Sequence, residues 1–217
     1  MKLKRLVLLS SLVLGLTPLC RGQQITGSHH DFTTTSKAAY NSTGEVCIVC
    51  HAPHGTDRVA VPLWNHNTTA QTFTTYSGYK FVNYTGAVAP DPDGASKLCL
   101  SCHDGVSAIN QFGGKYQGPG GAPLTLGVHA SMLGTDLSND HPVSFVYNTA
   151  LSLATNGGVK DPAIANTSLG GTIATDLLDK DGKVQCPSCH EVHDQTIFRF
   201  GKISNAGSAL CLTCHNK

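Results

Sequence analysis

Cys47-Ile-Val-Cys50-His51 is the first of four copies of the pattern Cys-x-x-Cys-His in this chain. The other three are Cys99-Leu-Ser-Cys102-His103, Cys186-Pro-Ser-Cys189-His190 and Cys211-Leu-Thr-Cys214-His215. The pattern is typical of haem c attachment, in which the two thiols bond to the porphyrin and the histidine ligates the iron. In a helical turn, cysteines at i and i+3 share a face with a histidine at i+4. The sequence therefore predicts four covalently bound haem c groups, each with its iron.

Cysteine pairs at this spacing also occur in zinc ribbons and in disulfide frameworks. The chain has 11 histidines in 217 residues. A histidine after all four pairs is therefore improbable by chance. We favour haem over zinc or disulfides for this reason.

The N-terminal segment 1–22 has the pattern of a cleaved secretory signal peptide, because basic residues precede an apolar run over 6–16. That run is too short to span a bilayer, and no later stretch is apolar enough to form a transmembrane segment. We expect an exported protein, extracellular or at the cell surface, with the periplasm as the alternative. Lipidation of Cys20 is a second interpretation of the same segment.

The composition predicts a chain that cannot build a large core by itself. Only 13% of the residues are charged, and glycine alone accounts for 23 positions. Without residues 1–22 the chain has 11 basic and 14 acidic residues, so nucleic acid is not an expected partner. We predict a mostly irregular, loop-rich fold around the haems, with short α-helices at the haem motifs and little β-structure. Ser96 and Ser208 are the predicted N-caps of two such helices, and 143–147 is a predicted short strand.

The chain contains an internal repeat. The longer pattern Cys-x-x-Cys-His-x-x-His occurs at 47–54 and again at 186–193. Each copy is followed by a Cys-x-x-Cys-His motif without the additional histidine, here called the plainer motif. Each half thus holds two haem motifs in the same order. We predict a first dihaem module over 23–125 and a second over 126–217, joined in one integrated tetrahaem domain.

The histidine count indicates imidazole ligands on both faces of the irons. The proximal ligands are predicted to be His51, His103, His190 and His215. The remaining histidines are His29, His30, His54, His66, His129, His141 and His193. After removal of 1–22, Met132 is the one methionine left, so methionine cannot be the general distal ligand. Bis-histidine ligation of at least three six-coordinate irons follows by elimination.

The repeat suggests which histidines are distal. His54 and His193 each lie three residues after a proximal histidine, so neither can pass around its own haem to the opposite face. We therefore expect each to ligate a different haem. Each half also has a histidine upstream of its motifs. The predicted distal ligands are His29, His30, His54, His141 and His193, with one of the two adjacent histidines spare. His66 and His129 are left over, and we interpret them as polar surface residues or contacts to haem propionates, with iron ligation as the alternative.

With these motifs in place, the chain resembles the secreted multihaem c-type cytochromes of metal-respiring prokaryotes, above all tetrahaem cytochromes that polymerise into extracellular filaments, or nanowires. The matching stretches are Glu45-Val-Cys-Ile-Val-Cys-His-Ala-Pro-His54, Pro62-Leu-Trp-Asn65, Leu98-Cys-Leu-Ser-Cys-His-Asp-Gly105, Asp136-Leu-Ser-Asn-Asp-His-Pro-Val143 and Ala209-Leu-Cys-Leu-Thr-Cys-His-Asn-Lys217. The resemblance implies a continuous haem chain, electron transfer to extracellular acceptors, and a homopolymer in which a histidine of one subunit ligates a haem of the next. His29 or His30 is the candidate for that ligand. The second copy reads Glu191-Val-His193 instead of Ala-Pro-His, so its loop geometry is less closely matched.

Three functions compete for such a chain. The first is a conductive filament subunit, and the second is a monomeric periplasmic electron shuttle with redox partner proteins. The third is a multihaem reductase, which would need one open iron. Seven histidines beyond the proximal four argue against a vacant iron. We therefore expect an electron-transfer protein and not an enzyme.

Overall fold

The structure, a computed structural model, describes residues 25–54, 63–128 and 131–216. The predicted signal peptide with Cys20, and also His129, lie outside the described residues. The helices are α1 (Tyr79–Thr85), α2 (Gly94–His103), α3 (Thr149–Ala154), α4 (Ile173–Asp176), α5 (Cys186–Cys189) and α6 (Ala209–Cys214). Short 3-10 helices span Thr35–Lys37, Pro119–Gly121, Phe198–Phe200 and Ala206–Ser208. Two strands, β1 (Gln111–Phe112) and β2 (Lys115–Tyr116), form an antiparallel hairpin. The predicted loop-rich fold with short helices and little β-structure is confirmed.

Of the two predicted helix N-caps, one is correct and one is wrong. Ser208 is the N-cap of α6, as predicted, although its side chain makes no capping hydrogen bond. Ser96 is not the N-cap of α2, because the helix begins at Gly94 and its N-cap is Asp93. The Ser96 hydroxyl instead bonds to Gln185, a residue 89 positions away in the chain. That tertiary contact explains the wrong prediction.

The predicted strand at 143–147 does not form as a regular strand. The Ser144 N–H donates to the Val184 carbonyl at 2.6 Å, and the Val184 N–H donates to the Phe145 carbonyl at 3.0 Å. Val146 and Lys183 form only an isolated bridge. Ser144 has a φ of +64°, which breaks the extended conformation that a longer strand requires.

The described residues form two small apolar clusters, and further buried apolar side chains such as Val49 and Phe112 lie outside both. The larger cluster contains Tyr147, Ile173, Leu177, Val184 and Ile203. The smaller cluster contains Phe73, Leu100 and Leu137. Within the three described segments, no helix is long and apolar enough to cross a membrane. A core of this size is small for a chain of this length, so additional apolar material is needed to hold the loops.

Candidate haem-binding site

The Cys-x-x-Cys-His segments form hydrogen-bonded helical turns. Two cysteine pairs lie in α2 and α6, and a third forms α5. In three motifs the histidine N–H donates to the carbonyl of the first cysteine: His51 to Cys47 at 2.8 Å, His190 to Cys186 at 3.1 Å and His215 to Cys211 at 2.9 Å. Each motif thus presents two thiols and one imidazole from a single turn. This is the local geometry that the spacing predicted.

All eight motif cysteines are free thiols. The disulfide interpretation therefore has no support among them. In the part of the chain that the structure describes, no group of three or more His, Cys, Asp and Glu side chains converges in the manner of a metal site. The zinc-ribbon interpretation needs four such ligands around one ion. Unpaired thiols at i and i+3 instead fit two thioether bonds to one porphyrin.

Neighbouring motifs in the sequence are also neighbours in space. Burial, and then the charge of the nearby Cys50, raise the pKa of Cys102. Burial also raises the pKa of Cys189, with Cys211 contributing from the fourth motif. These mutual effects place the first thiol pair near the second and the third near the fourth.

The second and third motifs also lie close together. The neighbouring Cys186 raises the pKa of Cys99, and Cys99 in turn lowers the pKa of Cys186 to about 7. Cys99 belongs to α2 and Cys186 begins α5, and these two helices pack against each other. These two helices would therefore hold the second and third haems on adjacent segments of the chain.

Three motif histidines each face a second imidazole. The ring centroids are 6.1 Å apart for His51 and His193, 6.1 Å apart for His103 and His30, and 6.3 Å apart for His215 and His141. A metal–imidazole bond is about 2 Å long and the ring centre lies roughly 1 Å beyond the nitrogen, so two imidazoles on one iron have centres about 6 Å apart. Each pair joins one predicted proximal ligand with one predicted distal ligand. The separations therefore suit an iron between the rings.

Hydrogen bonds at Nδ1 orient several of these imidazoles. The oxygen acceptors are Ser131 O for His103 (2.7 Å), Arg199 O for His190 (2.9 Å), Pro142 O for His141 (2.9 Å) and Glu191 Oε1 for His193 (3.1 Å). A carbonyl oxygen can only accept, so Nδ1 carries the proton in the first three rings. Nε2 then keeps its lone pair, which is the state that an iron ligand requires.

His30 is held in place by its surroundings. Its ring stacks on Phe200 with centroids 4.8 Å apart. Burial, followed by the nearby His103 and Lys37, lowers the pKa of His30 to about 4. The Lys37 ammonium donates to the His29 carbonyl at 2.7 Å and so ties down the backbone of this segment. His30 is therefore neutral at neutral pH, with a lone pair available.

The remaining histidines are placed differently from one another. His29 and His54 are exposed. His66 is buried, which corrects its interpretation as a surface residue. Its Nδ1 lies 2.7 Å from the Asn67 carbonyl, and its Nε2 lies 3.0 Å from the Ile109 carbonyl. Both ring nitrogens lie against backbone oxygens, and Nε2 also lies 3.6 Å from the Cys102 sulfur, so His66 joins two loops and neither nitrogen is open to an iron.

Trp64 gives an independent test of whether a haem fits here. Among the described residues, its indole Nε1 is the one buried side-chain nitrogen or oxygen without a hydrogen-bond partner. The Trp64 ring packs edge-on to His51, with centroids 6.5 Å apart. A buried donor without an acceptor is costly. A haem propionate beside His51 would supply that acceptor, so this observation agrees with the thiol and imidazole geometry.

Asp104 is a structural residue of the site to which the sequence assigned no role. It directly follows His103 and is 1% exposed. Its carboxylate accepts from the Thr69 hydroxyl at 2.7 Å, the Ser107 hydroxyl at 2.6 Å and the Val106 N–H at 2.8 Å. The Asp-Gly step after the motif was its visible signal, since Asp favours such turns. Asp104 thereby anchors the end of α2 next to the proximal histidine.

We expect Asp104→Ala to lower the free energy of unfolding of the haem-loaded protein by about 2 kcal/mol, because buried hydroxyls lose their acceptor. Burial alone would raise the pKa of Asp104, but the hydrogen bonds from Ser107 and Thr69 lower it overall. This stabilisation is therefore complete above the unfolded-state pKa of about 3.9 and is lost as the pH falls through the lower folded-state value. Guanidinium titrations at about pH 7 and about pH 3 measure both effects. The exposed Asp91→Ala is the control, and an equal loss in the two variants at neutral pH would contradict the prediction.

Comparison with known proteins agrees with this site. Residues 178–217 match the protein family described as the doubled CXXCH motif. No curated protein matches the chain. The matched segment holds the third and fourth motifs, and its paired pattern indicates covalently bound haem c. It supports a multihaem c-type cytochrome that functions in electron transfer.

Proposed function

We propose that this chain carries four haems c and passes electrons along them to an extracellular acceptor, as a subunit of a conductive filament. The observation that most supports it is the three imidazole pairs, whose ring centroids are separated by the distance expected for two ligands of one iron. The bound haem supplies a one-electron iron couple. The cysteine pairs hold each haem in place, and imidazoles on both faces limit structural change on oxidation and reduction.

The proposed ligand pairs follow the internal repeat. They are His30 with His103, His141 with His215, and His193 with His51. In each half, the plainer motif is thus paired with the histidine upstream of that half's motifs. The pair of His51 and His193 crosses between the halves, as expected for a ligand that cannot reach its own haem.

The fourth iron, at His190, needs a ligand from elsewhere. Within the described segments, no imidazole ring packs against His190 as one does against each of the other proximal histidines. In the repeat, His190 corresponds to His51, and His54 corresponds to His193. We therefore assign His54 to His190, and we propose that a second copy of the chain donates it. His29, the neighbour of His30, is the alternative donor from the N-terminal segment.

We expect His54→Ala to create one high-spin iron per chain and to prevent filament growth, because the shared ligand is lost. Low-temperature electron paramagnetic resonance counts the high-spin centres, and negative-stain microscopy with size-exclusion chromatography measures assembly. His29→Ala removes an equally exposed histidine and is the matched control. If His29→Ala alone has both effects, the assignment moves to His29.

The competing functions are separated by measurements on the wild-type protein. Filaments in cryo-electron microscopy of the exported material would support the proposed conductive filament. A particle that stays monomeric at high concentration, with four low-spin irons, would indicate a shuttle in which His54 ligates within its own chain. A substantial high-spin ferric signal would indicate an open iron and favour a reductase.

A further inference from the structure

Gln185 is a buried side chain that forms hydrogen bonds from the second half of the molecule to the first. It is 2% exposed and immediately precedes the first cysteine of the third motif. Its Oε1 accepts from the Ser96 hydroxyl at 2.5 Å, the Ser96 N–H at 3.2 Å and the Ser144 hydroxyl at 3.2 Å. Its Nε2 donates to Asp93 and Asp179, each at 3.0 Å. Both ends of the amide are thus fully used.

These bonds connect the helices that carry the second and third haem motifs. Asp93 and Ser96 belong to the N-terminal end of α2, which carries Cys99 and Cys102. The Ser96 hydroxyl in turn accepts from the Cys186 N–H at 3.0 Å, the first residue of α5. Ser96 therefore donates to Gln185 and accepts from Cys186 across the interface between α2 and α5, and it is completely buried.

Glycine at position 94 permits this close contact. A Cβ at Gly94 would lie 3.1 Å from the Gln185 Nε2, and Gly94 has a φ of +48°. A side chain there would be strained and would crowd the amide. The Asp93 carboxylate also forms an ion pair with Lys183, two residues before Gln185. The junction is therefore held by polar contacts to one central amide.

We propose that Gln185 is a positioning residue that sets the spacing of the second and third haems, and thus the electronic contact between the two dihaem halves. The proposal rests on the proposed function, because it requires haems on both thiol pairs. Its geometric basis is that the Gln185–Ser96 contact lies where α2 packs against α5, with Cys99 three residues after Ser96 and the Cys186 N–H bonded to the Ser96 hydroxyl. Electron tunnelling falls steeply with distance, so small shifts of α2 against α5 matter most at this step.

The test uses Gln185→Met, which keeps the length of the side chain but removes all of its side-chain hydrogen bonds. Ser96→Ala is the second variant, since it removes the hydroxyl that donates to Gln185 and changes the side chain by a single atom. Gln71→Met is the matched control, because Gln71 is exposed. For each secreted holoprotein, mass spectrometry gives the haem count and electron paramagnetic resonance gives the spin states. Circular dichroism in the Soret band measures the coupling between neighbouring haems.

We expect Gln185→Met and Ser96→Ala to retain four low-spin haems while losing part of the Soret couplet, with slower electron equilibration between the halves after flash reduction. The losses should be non-additive in the double variant, because both changes break one contact. An unchanged couplet and unchanged equilibration in Ser96→Ala would overturn the proposal, even if Gln185→Met failed to mature. A wild-type protein without haem would instead overturn the proposed function, so the two failures are distinguishable.

Discussion

Replacing all eight motif cysteines by serine should leave the secreted chain largely unfolded. The apolar clusters of the described residues, around Ile173 and Leu100, are small, and long loops without regular structure connect the short helices. Fixing the backbone of one residue costs about 1–2 kcal/mol of conformational entropy, and so few buried side chains do not offset that over the whole chain. Four covalently held haems would supply the missing apolar surface. Folding is then coupled to cofactor attachment, as in small metal-dependent domains.

Far-ultraviolet circular dichroism and amide hydrogen exchange of the purified variant measure this effect. The expected result is an unfolded spectrum with little exchange protection. The control is the variant lacking only Cys211 and Cys214, which should keep three haems and most of the protection around α2. A cooperative melting transition and a native-like spectrum in the eight-cysteine variant would contradict the prediction.

Removing one proposed distal histidine should convert one of four irons to the high-spin state. His193→Ala removes the imidazole that lies 6.1 Å from His51, and His141→Ala removes the one that lies 6.3 Å from His215. An iron with a single imidazole has a weaker ligand field and an open position. Electron paramagnetic resonance should therefore show about one high-spin ferric centre per chain in each variant.

His66→Gln is the control for a histidine without a ligand role. Both ring nitrogens of His66 face backbone carbonyls, so this variant should keep all irons low-spin although it loosens a buried contact. A high-spin centre in His66→Gln, together with none in His193→Ala, would refute the proposed pairing. The double variant His141→Ala with His193→Ala should show twice the high-spin intensity of either single variant, because the two pairs do not share a ring.

The sequence by itself determined the attachment chemistry and the class of fold. The geometry of a Cys-x-x-Cys-His motif depends only on local sequence, since its thiols and imidazole lie within five residues and one helical turn arranges them. The same holds for the loop-rich architecture, because glycine and other turn residues interrupt every long periodic stretch. The internal repeat was also visible, and it grouped the distal candidates by half.

Only the tertiary structure decided which groups meet. That His103 faces His30, and that Ser96 bonds to Gln185 instead of capping α2, depends on chain segments tens of residues apart. The burial of His66 likewise depends on the distant carbonyl of Ile109. No short pattern encodes such contacts, because they arise when loops pack against one another and each buried polar group must find a partner. The local motifs can therefore be predicted from the sequence, whereas the contacts between distant imidazoles and helices are decided by tertiary packing.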